Sequence, residues 1–231
     1  MMLERKCGWK GLLAALLATS CLAAVGMASA QDATETTAKS QEREPKRSRA
    51  QSGDKADALA QLREKAQQGD DKSQARLGIM YEQGIGVKRD GKQAVSWYEK
   101  AANQNNAFAQ AALANMFVRG RGVKQDYAIA AKWAQKGSDN GSPGAQMILA
   151  YLYENGLGVE RDYGKAIDLY RKSAEQDETF SMYSLGVMYE EGKGVEKNKE
   201  KAMEWYRKAA VRDSTLAQKR IAQVQGESDG K

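Results

Sequence analysis

The 231-residue chain contains no histidine, only two cysteines and only two prolines. The missing imidazole excludes His-ligated zinc, the 2-His-1-carboxylate iron site, and every triad or dyad that uses histidine as base. The cysteines, Cys7 and Cys21, both lie near the N-terminus. Aromatic residues make up 7% of the chain and charged residues 29%, a globular rather than a fibrous composition. The formal net charge of +6 is too small to argue for a nucleic-acid partner.

Residues 1–30 read as an export signal. Arg5, Lys6 and Lys10 form a basic head, an uncharged stretch runs from Gly11 to Met27, and Ala28-Ser29-Ala30 offers a small-x-small cleavage site. An uncleaved anchor, or lipid attachment at Cys21 within Ala18-Thr19-Ser20-Cys21, are the alternatives. Cleavage after Ala30 leaves a mature chain with no cysteine, so packing rather than disulfides must stabilise it. Residues 31–54 hold no apolar residue larger than alanine and are expected to form a disordered polar tail. The basic cluster Lys46-Arg47-Ser48-Arg49 in this tail reads first as solvated charge and is the one place where contact with an anionic membrane surface is possible.

From about residue 70 the chain repeats with a period of 36. Leu77, Leu113, Leu149 and Leu185 are one series; Gly78, Ala114, Ala150 and Gly186 a second; Tyr81, Phe117, Tyr153 and Tyr189 a third. Two glycines recur in every copy, at Gly84, Gly120, Gly156 and Gly192 and at Gly86, Gly122, Gly158 and Gly194. Such a period without insertions means a stacked, quasi-one-dimensional array. Leucine, a tiny residue and an aromatic at i, i+1 and i+4 mark one helical face, and the first glycine stops that helix in a left-handed cap. Asp90, Asp126, Asp162 and Asn198 then cap a second helix, each worth roughly 1 kcal/mol. Asp70, Asn106, Ser142, Glu178 and Ser214 stand before the first helices, with Pro143 at a first helical position. Trp97, Trp133 and Trp205 share one register position and are expected in the core.

Lone helices flank the copies, a second-helix type over 56–68 and a first-helix type over about 215–225. The expected fold is therefore all-α: a superhelical solenoid of helix-turn-helix repeats, four full 36-residue repeats with a half-repeat at each end. It spans 55–226, has ten helices and no strands, and leaves a short C-terminal tail over 227–231. An open array with polar terminal helices reads as a monomer.

The pattern Ala-x-Leu-Gly-x-x-Tyr-x-x-Gly-x-Gly-Val-x-x-Asp-x-x-x-Ala-x-x-Trp-Tyr-x-x-Ala-Ala from Ala75 to Ala102 resembles the Sel-1-like repeat, a relative of the tetratricopeptide repeat. The resemblance implies a concave surface built largely by first helices and an adaptor role in bacterial envelope, signalling or host-contact assemblies. It places Ile79, Phe108, Asn115, Val118, Arg119, Met147, Tyr151, Glu154, Tyr183, Val187 and Glu190 in a partner-binding groove. Tight winding is the competing expectation, and it would bury Phe108 and Phe180 first.

The groove has a charge direction. Residues 107–142 carry five basic and two acidic side chains, whereas 143–178 carry four basic and seven acidic. Such asymmetry orients a charged partner more than it tightens the complex.

Catalytic readings are weaker. No Gly-x-Gly completes a phosphate-binding fingerprint. No metal or cofactor set stands out. Some secreted, cysteine-rich members of the resembled family are β-lactam-binding or weakly hydrolytic. In the repeats of this chain, Ser73-Gln-Ala-Arg76 and Ser181-Met-Tyr-Ser184 lack the lysine that chemistry needs. The expected function is a non-catalytic scaffold for a protein or peptide partner, exported and periplasmic. A periplasmic regulator and a secreted binder of host proteins are the alternatives, with a β-lactam-handling relative more distant.

Overall fold

The computed structural model describes residues 57–229, with side chains to residue 226. The export signal expected over 1–30, the polar tail expected over 31–54 and the last two residues lie outside this range. Ten helices follow one another with no strand among the described residues. They are α1 (57–67), α2 (Asp71–Gln83), α3 (Gly91–Ala102), α4 (Ala107–Arg119), α5 (Tyr127–Asp139), α6 (Pro143–Asn155), α7 (Tyr163–Ala174), α8 (Thr179–Glu191), α9 (Lys199–Ala210) and α10 (Thr215–Asp229). From α2 onward each helix packs on its neighbours in sequence, and α4 also touches α6, the first helix of the next repeat. The result is an α/α solenoid.

Local chemistry sets the helix ends. Asp90 accepts from the Lys92 and Gln93 amides, and Asp126, Asp162 and Asn198 each cap a second helix in the same manner. Gly84, Gly120, Gly156 and Gly192 close the first helices at φ between 64° and 79°. Each donates its N–H to the carbonyl four residues back, at 2.8 Å for Gly84 to Met80. The carbonyl of the recurring aromatic then accepts from the next cap residue: Asp90 to Tyr81, Asp126 to Phe117, Asp162 to Tyr153 and Asn198 to Tyr189, all at 2.9–3.1 Å. Aromatic, glycine and aspartate therefore act as one turn.

The second glycine of the turns in the second, third and fourth repeats does more than permit a bend. A Cβ on Gly122 would fall 2.2 Å from the Gly91 carbonyl, and one on Gly158 would fall 2.3 Å from the carbonyl carbon of Tyr127. The turn of one repeat rests on the first residue of the preceding repeat's second helix. This contact locks the stacking register.

A further left-handed position recurs just before the first-helix caps, at Gly69, Asn105, Gly141, Asp177 and Asp213. Asn and Asp enter that region more readily than other side chains, which explains the residue choice.

The tryptophans depart from expectation. The fully buried aromatics are Tyr98, Tyr170 and Tyr206, each at most 1% exposed. Trp97, Trp133 and Trp205 are half-buried and lie under the ammonium groups of Lys100, Lys136 and Lys208, 4.1–4.4 Å from the ring centroids. One helical step separates the two series, so the tyrosine points into the repeat and the tryptophan lies along its edge.

Candidate functional site

The first helices α2, α4, α6 and α8 carry the groove positions. Their backbones approach closely, and a Cβ on Gly144 of α6 would touch the Ala111 methyl of α4 at 3.8 Å. This closeness corrects part of the expected surface. Val118, Met147 and Val187 are buried at 7%, 2% and 5% exposure, packed in the core by the winding of successive repeats. Phe180 is buried as well. Glu154, at 7%, turns away from solvent to accept from the Tyr170 hydroxyl at 3.0 Å and to pair with Lys193 at 3.4 Å.

Ile79, Phe108, Asn115, Arg119, Tyr151, Tyr183 and Glu190 keep partial exposure. Phe108 gives one edge to the ring of Tyr98, 6.3 Å away. Asn115 has a buried Oδ1 with no hydrogen-bond partner. Tyr183 leans on Tyr206 with centroids 5.5 Å apart. Together with Val187, Glu190, Glu191, Lys197, Arg220 and Gln223 it lines a pocket of about 610 Å³ at the C-terminal end of the groove.

Burial raises the pKa of both Tyr151 and Tyr183. Nearby Tyr127 and Glu154 add to the effect on Tyr151. At Tyr183 the Arg220 charge opposes it. Both hydroxyls stay neutral and act as hydrogen-bonding tips on apolar rings.

Two recurrent polar networks underlie the groove. In the first, a carboxylate near the end of a first helix accepts from the buried tyrosine sixteen residues on: Glu82 from Tyr98 at 2.8 Å, Glu154 from Tyr170 and Glu190 from Tyr206 at 2.6 Å. The second repeat has Val118 and Ala134 at these positions, an apolar replacement of both partners at once. In the second network, buried glutamines tie each repeat to its neighbours. Gln74 donates to the Ala66 carbonyl and accepts from Gln104; Gln110 donates to Ala102 and accepts from Asn140; Gln146 accepts from Gln176. Gln74, Gln110 and Gln146 stand 36 apart, so their period was present in the sequence, but polarity masked it as a core signal.

Glu190 joins α8 to the terminal helix. Burial pushes its carboxyl up, but the Arg220 guanidinium and the Tyr206 hydroxyl outweigh this and hold it below the ordinary carboxylate range. A depressed folded-state pKa gives stability that is present above the unfolded value and lost as pH falls through the folded one. Acidification below about pH 4 is therefore expected to loosen α10 before the inner repeats. Hydrogen exchange at pH 3 and pH 7 checks this through the protection of 215–226, and equal protection at both would contradict it.

Among the described residues no group of three or more acidic, cysteine or histidine side chains is arranged to hold a metal ion. No helix among them is long and apolar enough to cross a membrane.

Helix pairs joined by a two-glycine turn, stacked in one register with a first-helix groove, define a solenoid repeat protein of the tetratricopeptide-like class. The Sel1 repeat profile matches residues 71–106, 107–142, 143–178 and 179–211, more than half of the chain. The chain belongs to the Sel1 repeat family. It is similar to a protective antigen of uropathogenic Escherichia coli strains described as displaying an SLR fold, at 35% identity and a TM-score of 0.68. That match covers 74% of this chain and 36% of the antigen. A Sel1 repeat protein from Oxalobacter formigenes is 36% identical, with a TM-score of 0.62 over 65% of this chain and 61% of that one. The chain thus spans about a third of the first relative and less than two thirds of the second. No curated protein matches it. Sel1 repeat proteins are typically protein-binding scaffolds and generally not catalysts.

Proposed function

We propose that this protein is a non-catalytic adaptor, exported to the bacterial envelope, that holds a protein partner along the groove of α2, α4, α6 and α8. The observation that carries the reading is the contrast within one helix face. Scaffold positions repeat from copy to copy, while the partly exposed groove positions differ: Ile79, Asn115 and Tyr151 occupy one register, whose fourth member, Val187, is buried. A surface whose residues vary on an invariant frame suits recognition of one partner rather than packing. Tyr151 and Tyr183 supply the amphipathic rings that anchor protein interfaces. Envelope location rests on the export signal read in residues 1–30.

The test is affinity capture after crosslinking in intact cells, with wild type and the Tyr151→Ala/Tyr183→Ala variant in parallel. The expected result is a protein partner recovered with wild type and reduced at least about tenfold with the variant, as for loss of two aromatic anchors. Unchanged recovery from a folded variant would refute the groove.

A further inference from the structure

The N-terminal edge of the array holds a second feature, outside the groove. Helix α1 is a second helix without its first. Its Ala58, Leu59, Leu62 and Lys65 stand in the register of Ala94, Val95, Tyr98 and Ala101, which the array buries completely or nearly so. In α2 the stripe Lys72, Arg76, Met80 corresponds to Phe108, Ala112, Met116 of α4 and to Phe180, Ser184, Met188 of α8; Phe108 packs on Tyr98 of the preceding repeat, and Met116, Phe180, Ser184 and Met188 are buried. Here no repeat precedes among the described residues. Between α1 and α2 lies an open trough of about 980 Å³, with Leu59, Leu62, Met80 and Ile85 as apolar walls and Lys65, Lys72 and Arg76 as its charges. Ile85 is 53% exposed, one of two large apolar side chains left open among the described residues. Among the described residues no acidic side chain lines the trough. Asp70 lies within electrostatic reach of Lys65 and Lys72, but its carboxylate is committed to the Ser73 amide at 2.7 Å.

The terminal helix shows one use of this register, where the inner repeats hold Ala112, Ile148 and Ser184. Arg220 of α10 lies four repeats of 36 beyond Arg76, and its Nε donates to Glu190 of the preceding first helix at 3.0 Å. By register, Arg76 stands where a preceding first helix would present a carboxylate. We propose that the trough seats an amphipathic helix of a partner protein with a glutamate in the Glu190 register, the partner helix completing the half-repeat begun by α1. The chain's own preceding segment does not fit. Residues 31–54 have no apolar side chain larger than alanine, and one 36-residue step places Gln41, Glu42 and Pro45 where α2 has Leu77, Gly78 and Tyr81. A second copy fits poorly. Its α10 is the free first helix, and it brings Lys219 and Arg220, with Gly226 in the Glu190 register.

The probe is a fluorescein-labelled synthetic peptide of residues 178–192, read by anisotropy against the full-length protein. Its partner probe carries Glu190→Lys. The expected result is binding of the native peptide and a loss of at least about tenfold for the lysine peptide, the effect of an opposed charge at a close ion pair. The protein variant Arg76→Glu is expected to reverse the preference. Arg76 is exposed and makes no salt bridge among the described residues, so the variant keeps the fold, checked by circular dichroism. No peptide binding, or equal binding of both peptides to both proteins, would overturn the proposal. Concentration-dependent self-association abolished by Arg76→Glu would assign the trough to a second copy and overturn it. So would Arg76-dependent binding of phosphatidylglycerol vesicles without peptide binding. None of these outcomes bears on Tyr151 and Tyr183, so this inference and the groove assignment fail separately.

Discussion

Gly158→Ala is expected to cost at least about 3 kcal/mol, against about 1–2 kcal/mol for Gly156→Ala two residues earlier. Both glycines sit at positive φ, 64° for Gly156 and 68° for Gly158, so both substitutions pay the left-handed strain of an L-residue. They differ in what the new methyl meets. At 156 the nearest atom is the Arg161 Cβ at 3.2 Å, so the exposed turn needs to shift by only a few tenths of an ångström. At 158 the methyl would fall 2.3–2.5 Å from the carbonyl group of Tyr127 and the amide nitrogen of Ala128. These are helix backbone atoms of the preceding repeat and cannot move alone. The second and third repeats must separate there. Urea unfolding checks this twice: the Gly158→Ala midpoint falls further, and its transition broadens because neighbouring repeats lose their coupling. Equal effects at the two positions would contradict the stacking contact.

Tyr170→Ala is expected to cost about 3–5 kcal/mol, the range for emptying a large buried aromatic site. The ring is fully buried, and its hydroxyl is held by a carboxylate that is itself buried. Removing the ring leaves a cavity and takes one partner from Glu154, which then relies on Lys193. Tyr170→Phe keeps the ring and removes only the donor, so about 1–2 kcal/mol is expected. Urea midpoints of the two variants separate packing from hydrogen bonding. A cost below about 1 kcal/mol for the alanine variant would mean that the site collapses around the gap.

The two residues also show how far the fold was legible beforehand. Every element that a short-range rule governs could be read from the chain. Capping aspartates, left-handed glycines and the leucine face each need only a few neighbouring residues, and a period of 36 multiplied the signal fourfold. The second glycine of each turn was legible as a bend but not as a stacking contact, because its partner, Gly91 for Gly122 or Tyr127 for Gly158, lies 31 residues away. The tryptophans were misplaced by one helical step, since size alone does not tell which of Trp97 and Tyr98 points inward. The tyrosine does because its hydroxyl has Glu82 to bond, a match invisible without the helix pair.

The groove was less legible than the frame. Tyr151 and Tyr183 remain partly exposed, but Val118, Met147 and Val187 passed into the core. Exposure on the inner side of a solenoid depends on its curvature, which no single repeat encodes. Glu154 was assigned to the surface by register, and the buried Tyr170 hydroxyl drew it inward. The same register holds Glu82, Val118 and Glu190, so the change from an acidic to an apolar residue in one copy was the available hint that this position has a structural partner.

The most direct test of the central claim is site-resolved photocrosslinking in intact cells. A photoreactive amino acid would replace groove residues Asn115, Tyr151 and Tyr183, one at a time, and second-helix residues Trp97, Trp133 and Trp205 as the opposing set. A partner that binds along the first helices yields crosslinks of one mass from the groove set and none from the tryptophan set. Crosslinks confined to the tryptophan positions would place recognition on the other face and contradict the account.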